Sequence, residues 1–452
     1  MVLRTVITAV GLVGLLGLAG CGDMARLPLQ SGTGAKPELP APRTTLIPTV
    51  NIAPALGWPA GATPRAAPGT QVVAFASGLD HPRWLHVLPN GDVLVAESNA
   101  PARSDGPKGL RQWAMGQVMK RAGAGVPSAD RITLLRDADG DGVAETRSVL
   151  LSGLRSPFGM ALVGERLFVA NADEVLSFPY RSGELSITAA GTRLVALPGG
   201  PVNHHWTKSL LASPDGRRLY VGVGSNSNIA EGGMAQEAGR AAVWEVDIDS
   251  GAHRIHASGL RNPVGLAWAA GTSSTPGAGV GAGATPTLWA VVNERDELGS
   301  DLVPDYLTAL KPGAFYGWPY SYYGSRLDPR VPTAPPGLVE SAVVPDYALG
   351  AHVAPLGLAS SAGSRLPSPF IDGMFVGEHG SWNRRPHSGY KVVFVPFAGG
   401  QPAGLPLDVL SGFISPDGDD YGRPVGVALD KTGALLVADD VGNVIWRVSA
   451  QR

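Results

Sequence analysis

The chain has 452 residues, of which 61 are Gly and 39 Pro, so long uninterrupted helices cannot be its framework and a helical bundle is excluded. Hydrophobic residues make up 44% and charged ones only 16%, which supplies a core and rules out a disordered polyelectrolyte. The 36 Lys and Arg against 38 Asp and Glu leave a formal charge of −2, so no bulk field draws the protein to nucleic acid or anionic lipid, and any anionic ligand must be held by local basic residues.

Cys21 is the single cysteine, which excludes a disulfide framework, a Cys-based zinc site and a Cys-x-x-Cys-His haem attachment. It follows Arg4, an apolar run over 6–18 and the small residues of LAGC (18–21), a pattern that resembles a bacterial lipoprotein signal. The expectation is a signal peptide over 1–20, lipidation at Cys21 and, with Gly22 rather than Asp next, sorting to the periplasmic face of the outer membrane. Residues 21–70 are rich in Pro, Ala, Gly and Thr without a sustained period, and read as a stalk with no chemistry of its own.

From about residue 71 to 452 one unit recurs: a Gly or Pro turn, an apolar strand, a tight turn and a second apolar strand. The copies are GLDHPRWLHVLPNGDVLVAES (78–98), GLRSPFGMALVGERLFVANAD (153–173), HHWTKSLLASPDGRRLYVGVGS (204–225), GLRNPVGLAW with TLWAVVNE (259–268, 287–294), APLGLAS with GMFVGEHG (354–360, 373–380) and GRPVGVALDKTGALLVADD (422–440). A spacing of about 68 residues suits a four-stranded blade with long loops, so the chain is expected to be an all-β, six-bladed β-propeller whose last copy reaches the C-terminus with VIWRV (444–448) as ring closure requires. Three inserts interrupt the blades. Residues 109–121 place Leu110, Trp113, Ala114 and Val118 on one face of a short helix. Residues 271–286 are of low complexity. The segment DADGDGVAE (137–145) alternates Asp137, Asp139 and Asp141 as a calcium loop does, but lacks the glutamate at its twelfth position, and reads either as a calcium site or as a polar turn.

Phosphate-loop, G-x-S-x-G and H-E-x-x-H motifs are missing from the sequence, so nucleotide, serine-hydrolase and zinc-protease chemistry lack support. The informative residues lie at equivalent ends of the repeats: His204, His205, Lys208, Arg261, Asn262, Glu294, Arg295, Asp296, His379, Arg384, Arg385 and Arg423. Taken singly, each is an ordinary surface group. A closed ring would gather many of them into one cationic, histidine-bearing mouth suited to a small polyanion.

GLRNPVGLAW (259–268), VNERDELGSDLVPDYL (292–307), FYGWPY (315–320), GEHGSWNRRPHSGYKVVFV (377–395) and GRPVGVALDKTGALLVADD (422–440) resemble the pyrroloquinoline quinone (PQQ)-dependent soluble sugar dehydrogenases, in particular the sorbosone and aldose dehydrogenase branches. The resemblance covers residues 70–450 and implies a six-bladed propeller with PQQ and Ca²⁺. It places the catalytic histidine on His205 and cofactor-binding positions on Lys208, Arg261, Asn262, Arg384 and Arg423. The metal-holding loop, through its carbonyls, falls on the neighbourhood of Arg295 and Asp296. His204 stands where the soluble glucose dehydrogenases carry Asp, Ser225 where they carry an acidic residue, and Tyr421 where they carry a second late arginine.

The implied reaction is oxidation of an aldose to its lactone, or of a sorbosone-like aldehyde to its acid, with His205 as base, PQQ as hydride acceptor and Ca²⁺ as Lewis acid. The chain carries no haem motif, so electrons would leave to a separate cytochrome or quinone. The competing readings are a calcium-dependent propeller lactonase and a non-catalytic envelope binding propeller.

Overall fold

In the computed structural model, which describes residues 22–45, 48–101, 121–123, 125–269, 285–331 and 333–451, six antiparallel blade sheets follow one another along the chain, five of four strands and the fifth blade's enlarged to six by two short added strands. Their innermost strands are Pro82–Val87, Met160–Val163, Lys208–Ala212, Asn262–Ala269, Pro355–Ser360 and Pro424–Leu429, the first strands of the six repeats quoted above. The expected six-bladed propeller of four-stranded blades is what the chain forms. The ring closes by exchange: the N-terminal strand Thr70–Ser77 pairs antiparallel with Val444–Ala450, from Thr70 opposite Ala450 to Ser77 opposite Val444. The sixth blade is thus built from both ends of the domain.

Local sequence explains the blades. Second strands such as Val93–Glu97, Gly373–Glu378 and Leu435–Asp439 are buried at every position, as strands covered on both faces by neighbouring blades must be. Trp84, Phe158, Trp206, Val264, Leu356 and Val425, one from each blade in order, belong to a single buried cluster that includes the centre of the ring. The recurrent Pro-x-Gly of the repeats has a steric cause. A Cβ on Gly357 would lie 2.2 Å from the carbonyl oxygen of Val425, and one on Gly265 would lie 2.8 Å from that of Leu356. Only glycine lets adjacent inner strands approach this closely.

The described part of the stretch expected as a free stalk lies on the propeller instead. Gly34 bridges to Ala348 and Ala55 to Asp420, Arg65–Ala66 extends the fifth blade by pairing with Leu410 and Ser411, and Trp58 donates from Nε1 to Asp439 Oδ2 at 2.7 Å. The Trp58 ring also packs against Phe413, Tyr421 and Trp446. A segment without periodicity of its own is ordered here by the edges and loops it meets. Cys21, all but Arg121 of the helix expected over 109–121 and most of the low-complexity insert lie outside the described residues; no helix among the described residues is long and apolar enough to cross a membrane.

Candidate active site

Antiparallel pairing puts the start of each blade's first strand beside the end of its second, so the segments before the former and after the latter gather at one end of the ring. Blade three contributes His205, Lys208 and Ser225 there, blade four Arg261, Asn262 and Glu294–Asp296, blade five His379, blade six Arg423 and Asp440, and blade one His81 and Arg83.

His205 is the best-defined group. Its Nδ1 lies 2.7 Å from the carbonyl oxygen of Ser225 and 3.1 Å from Ser225 Oγ. A carbonyl can only accept, so Nδ1 carries the proton and Nε2 of the neutral ring keeps its lone pair. Burial, reinforced by the positive charge of Arg261 and by His204, holds the pKa well below the ordinary histidine value, so the ring is a neutral base at pH 7. Behind it, a Cβ on Gly224 would come within 2.5 Å of His205 Cβ and 2.3 Å of Asn262 Oδ1. Gly224 therefore allows His205 and Asn262 to close on one another. The histidine is oriented by a backbone carbonyl, not by the carboxylate of the soluble glucose dehydrogenases, so the sequence departure at Ser225 leaves the orienting bond in place. His204 is exposed, its ring edge-on to His205 with centroids 4.7 Å apart.

Lys208 is completely buried and donates to the carbonyls of Trp206 at 3.0 Å and His205 at 3.3 Å. Burial, and then the charge of Arg240, pull its pKa well below that of a free lysine. Arg261 is tied to protein: to Asp296 Oδ2 at 2.9 Å, to the Glu294 carbonyl at 2.7 Å and to the Asn228 carbonyl at 3.2 Å. Asn262 is buried with Oδ1 unpartnered among the described residues. Arg423 is ion-paired with Asp420 and lies 5.5 Å over the Tyr390 ring. Arg384 points elsewhere, donating to the Ser300 carbonyl at 3.0 Å and the Pro386 carbonyl at 2.8 Å. The expected cationic mouth is therefore corrected to one in which Arg261 and Arg423 are each neutralised by an aspartate.

The loop expected to hold a metal is arranged differently as well. Arg295 is fully buried against Glu294 and Asp328 and donates to the Pro319 and Ser321 carbonyls. Both carboxylate oxygens of Asp296 are occupied, by Arg261 and by Asn383 at 2.7 Å, and its carbonyl accepts from Arg330 at 2.9 Å. Guanidinium groups already bond the Glu294 and Asp296 carbonyls, oxygens that a calcium ion held by this loop would need.

One cluster escaped the sequence reading. Asp440 is bonded to Arg83 and to His379 at 3.0 Å, with His81 3.6 Å away. Burial opposes its ionisation, but His379, His81 and Arg83 outweigh it and hold the carboxyl far down. The available signal was the polar residue closing the second strand of several repeats, as in VAES, VVNE, VGEH and VADD. Asp137, Asp139, Asp141 and Glu145 also come together, their ligand oxygens within 4.8 Å of one another. Glu145, four residues beyond the last aspartate, completes that acidic group; it lies between the third and fourth strands of blade one, at the opposite end of the ring from the mouth.

The TrAA12-like family model matches residues 128–304 and 339–451. An uncharacterized protein of Borreliella burgdorferi is 24% identical over 306 residues, covering 65% of this chain and 76% of its own length. A pyrroloquinoline quinone-dependent pyranose dehydrogenase of Coprinopsis cinerea is 24% identical over 367 residues, covering 73% of this chain, which spans only 44% of that protein. Among solved structures, the calcium structure of the Trichoderma reesei carbohydrate-active enzyme of family AA12 superposes with a TM-score of 0.66 at 19% identity, covering 90% of this chain and all of the other. That last likeness is one of fold.

Proposed function

Because the chain belongs to the TrAA12-like family, we propose that it is a PQQ-dependent oxidoreductase that oxidises an aldose to its lactone, or a sorbosone-like aldehyde to its acid, while lipid-anchored through Cys21 in the cell envelope. The observation that carries this reading is His205: a neutral imidazole at the mouth, its tautomer fixed by the Ser225 carbonyl at 2.7 Å. Such a ring can take a proton from the sugar C1 hydroxyl at Nε2, a contribution of about 10² to 10⁴ in rate. The named activity of the Coprinopsis relative supports the cofactor and the substrate class.

The mouth residues fit PQQ, a small tricarboxylate. Arg83 Nε and Ser98 Oγ are buried donors there without partners among the described residues, Asn262 Oδ1 is a buried acceptor that could take a ring N–H of the cofactor, and Lys208 has only carbonyl partners. Lys208, Arg83 and Asn262 would hold the cofactor; Arg261, through Asp296, fixes the loop beside it. When bound, PQQ supplies an ortho-quinone that accepts the hydride. No step is assigned to calcium, since the Glu294 and Asp296 carbonyls already accept from Arg261 and Arg330. Electrons then pass to a separate carrier. The test is titration of the apo protein with PQQ, followed by quinone absorbance and by dye reduction with an aldose panel. Failure to bind PQQ overturns the reading.

A further inference from the structure

Beside the mouth, the N-terminal segment and the propeller enclose a cavity of about 170 Å³. Its propeller wall carries Glu297, Gly299, Arg330, His352, Trp382 and Asn383, and its other wall carries Asp23, Arg43, Thr44, Thr45, Pro48 and Thr49. Asn383 also binds Asp296, so the cavity adjoins the loop next to His205 and Arg261.

We propose that this cavity is a subsite for one neutral pyranose unit of the substrate, completed by the N-terminal segment. Three observations support it. The segment is fastened, not loosely laid: Arg43 pairs with Asp23 at 2.8 Å and Asp301 at 3.3 Å, Asp23 Oδ2 accepts from the Ser300 amide at 2.7 Å, and Asn51 donates its amide to the Trp382 carbonyl at 2.8 Å. Second, Arg43 Nη1 is a buried donor without a partner among the described residues, a group that costs free energy unless a ligand oxygen accepts from it. Third, the lining balances two acids, Asp23 and Glu297, against two arginines, Arg43 and Arg330, and burial lowers the pKa of His352 so that it adds no charge at pH 7. An anion gains nothing from a balanced site, whereas a polyol finds donors, acceptors and the indole of Trp382 for its apolar ring face. Asp23, Arg43, Thr44, Thr45, Pro48, Thr49 and Arg330 all lie outside the residues matched by the family model, so the subsite gives this chain a selectivity of its own. It rests on the sugar-oxidising reading above.

The test uses the full chain without PQQ and methyl β-D-glucopyranoside, methyl β-D-galactopyranoside and methyl α-D-mannopyranoside, whose blocked C1 oxygen prevents oxidation there, with D-glucuronate as the charged comparison. Binding is read by saturation-transfer NMR and calorimetry. Thr44, exposed and making none of the described hydrogen bonds, is changed to Trp to fill the cavity; Arg43→Lys keeps the charge that docks the segment but removes the forked donor. At least one neutral glycoside should bind, more tightly than glucuronate, and both variants should weaken it at least about tenfold with unaltered melting. No glycoside bound by wild type, equal binding by well-folded variants, or a preference for glucuronate would each overturn the subsite. Glycoside binding by a PQQ-loaded protein that reduces dye with none of the free aldoses would sink the dehydrogenase reading and leave the subsite standing. Dye reduction with an unchanged KM in both variants would do the reverse.

Discussion

Gly224→Ala tests whether the close approach of His205 and Asn262 matters. Gly224 has no left-handed backbone to strain, so the added methyl acts by contact alone, at 2.5 Å from His205 Cβ and 2.3 Å from Asn262 Oδ1. Restoring ordinary contact requires movement of about 1 Å, shared between the two side chains. The Nδ1 to Ser225 carbonyl bond, now 2.7 Å, cannot absorb that displacement and remain strong. Overpacking of this kind costs about 1 to 3 kcal/mol of stability, and misplacing a base by about 1 Å costs roughly 10² in turnover. Denaturant melts and dye-linked oxidation by the PQQ-loaded protein measure the two effects. Gly32→Ala is the control, because a Cβ there meets nothing within 4 Å. A Gly224→Ala protein with wild-type stability and wild-type turnover would show that the His205–Asn262 contact is not part of the machinery.

Further outcomes are expected. His205→Gln should keep PQQ and lose about 10² to 10⁴ in turnover, with His204→Ala far milder; in wild type the acid limb of the rate should fall well below pH 6.5, because burial depresses the His205 pKa, and a limb centred at or above 6.5 would contradict it. PQQ binding should take up a proton, since a nearby carboxylate restores the ammonium of Lys208, whose pKa burial now lowers; calorimetry in buffers of different ionisation enthalpy reads this directly, and no uptake at any pH between 6 and 9 would remove Lys208 from the site. Glu378 is buried and its pKa is pushed up to about 8. A raised carboxyl pKa means stability that is full below the unfolded value near 4.5 and lost as pH rises towards 8, so Glu378→Gln should gain on wild type by roughly 1 kcal/mol per pH unit across that window; parallel stability curves would refute the assignment. Cys21→Ser should abolish fatty-acid labelling and leave soluble protein or unprocessed precursor, and persistent labelling would count against the anchor.

The fold was legible because each repeat carries its own instructions. Pro-x-Gly marks the inner strand at 263–265 and again at 355–357, where a second backbone comes too near for any side chain, and the following apolar run marks a strand buried on both faces. His205 was legible as well, standing at a repeated position with a family likeness. Its orienting partner was not, since a backbone carbonyl has no residue type to announce it. Arg261 illustrates a different loss: its place in the sequence suggests a free cation, yet its charge is claimed by Asp296, 35 positions away along the chain. The described residues of the stretch expected as a stalk over 21–70 were misread for a related reason. Their order is imposed by partners such as Ala348, Asp420 and Asp439, and a periodicity search looks only inward.

The fastened N-terminal segment also fixes how the molecule would stand on a bilayer. Asp23, two residues after the lipidation site proposed here, is bonded to the Ser300 amide at 2.7 Å on the mouth side of the ring. A lipid on Cys21 would then act as a short pivot rather than a long tether, holding the mouth end of the propeller close against the headgroups. Sugar would arrive along a narrow gap between protein and membrane. The electron carrier best placed to be reached would be one dissolved in, or sliding along, that same membrane, so transfer would become a two-dimensional encounter governed by lateral diffusion and little affected by the volume of the compartment beyond.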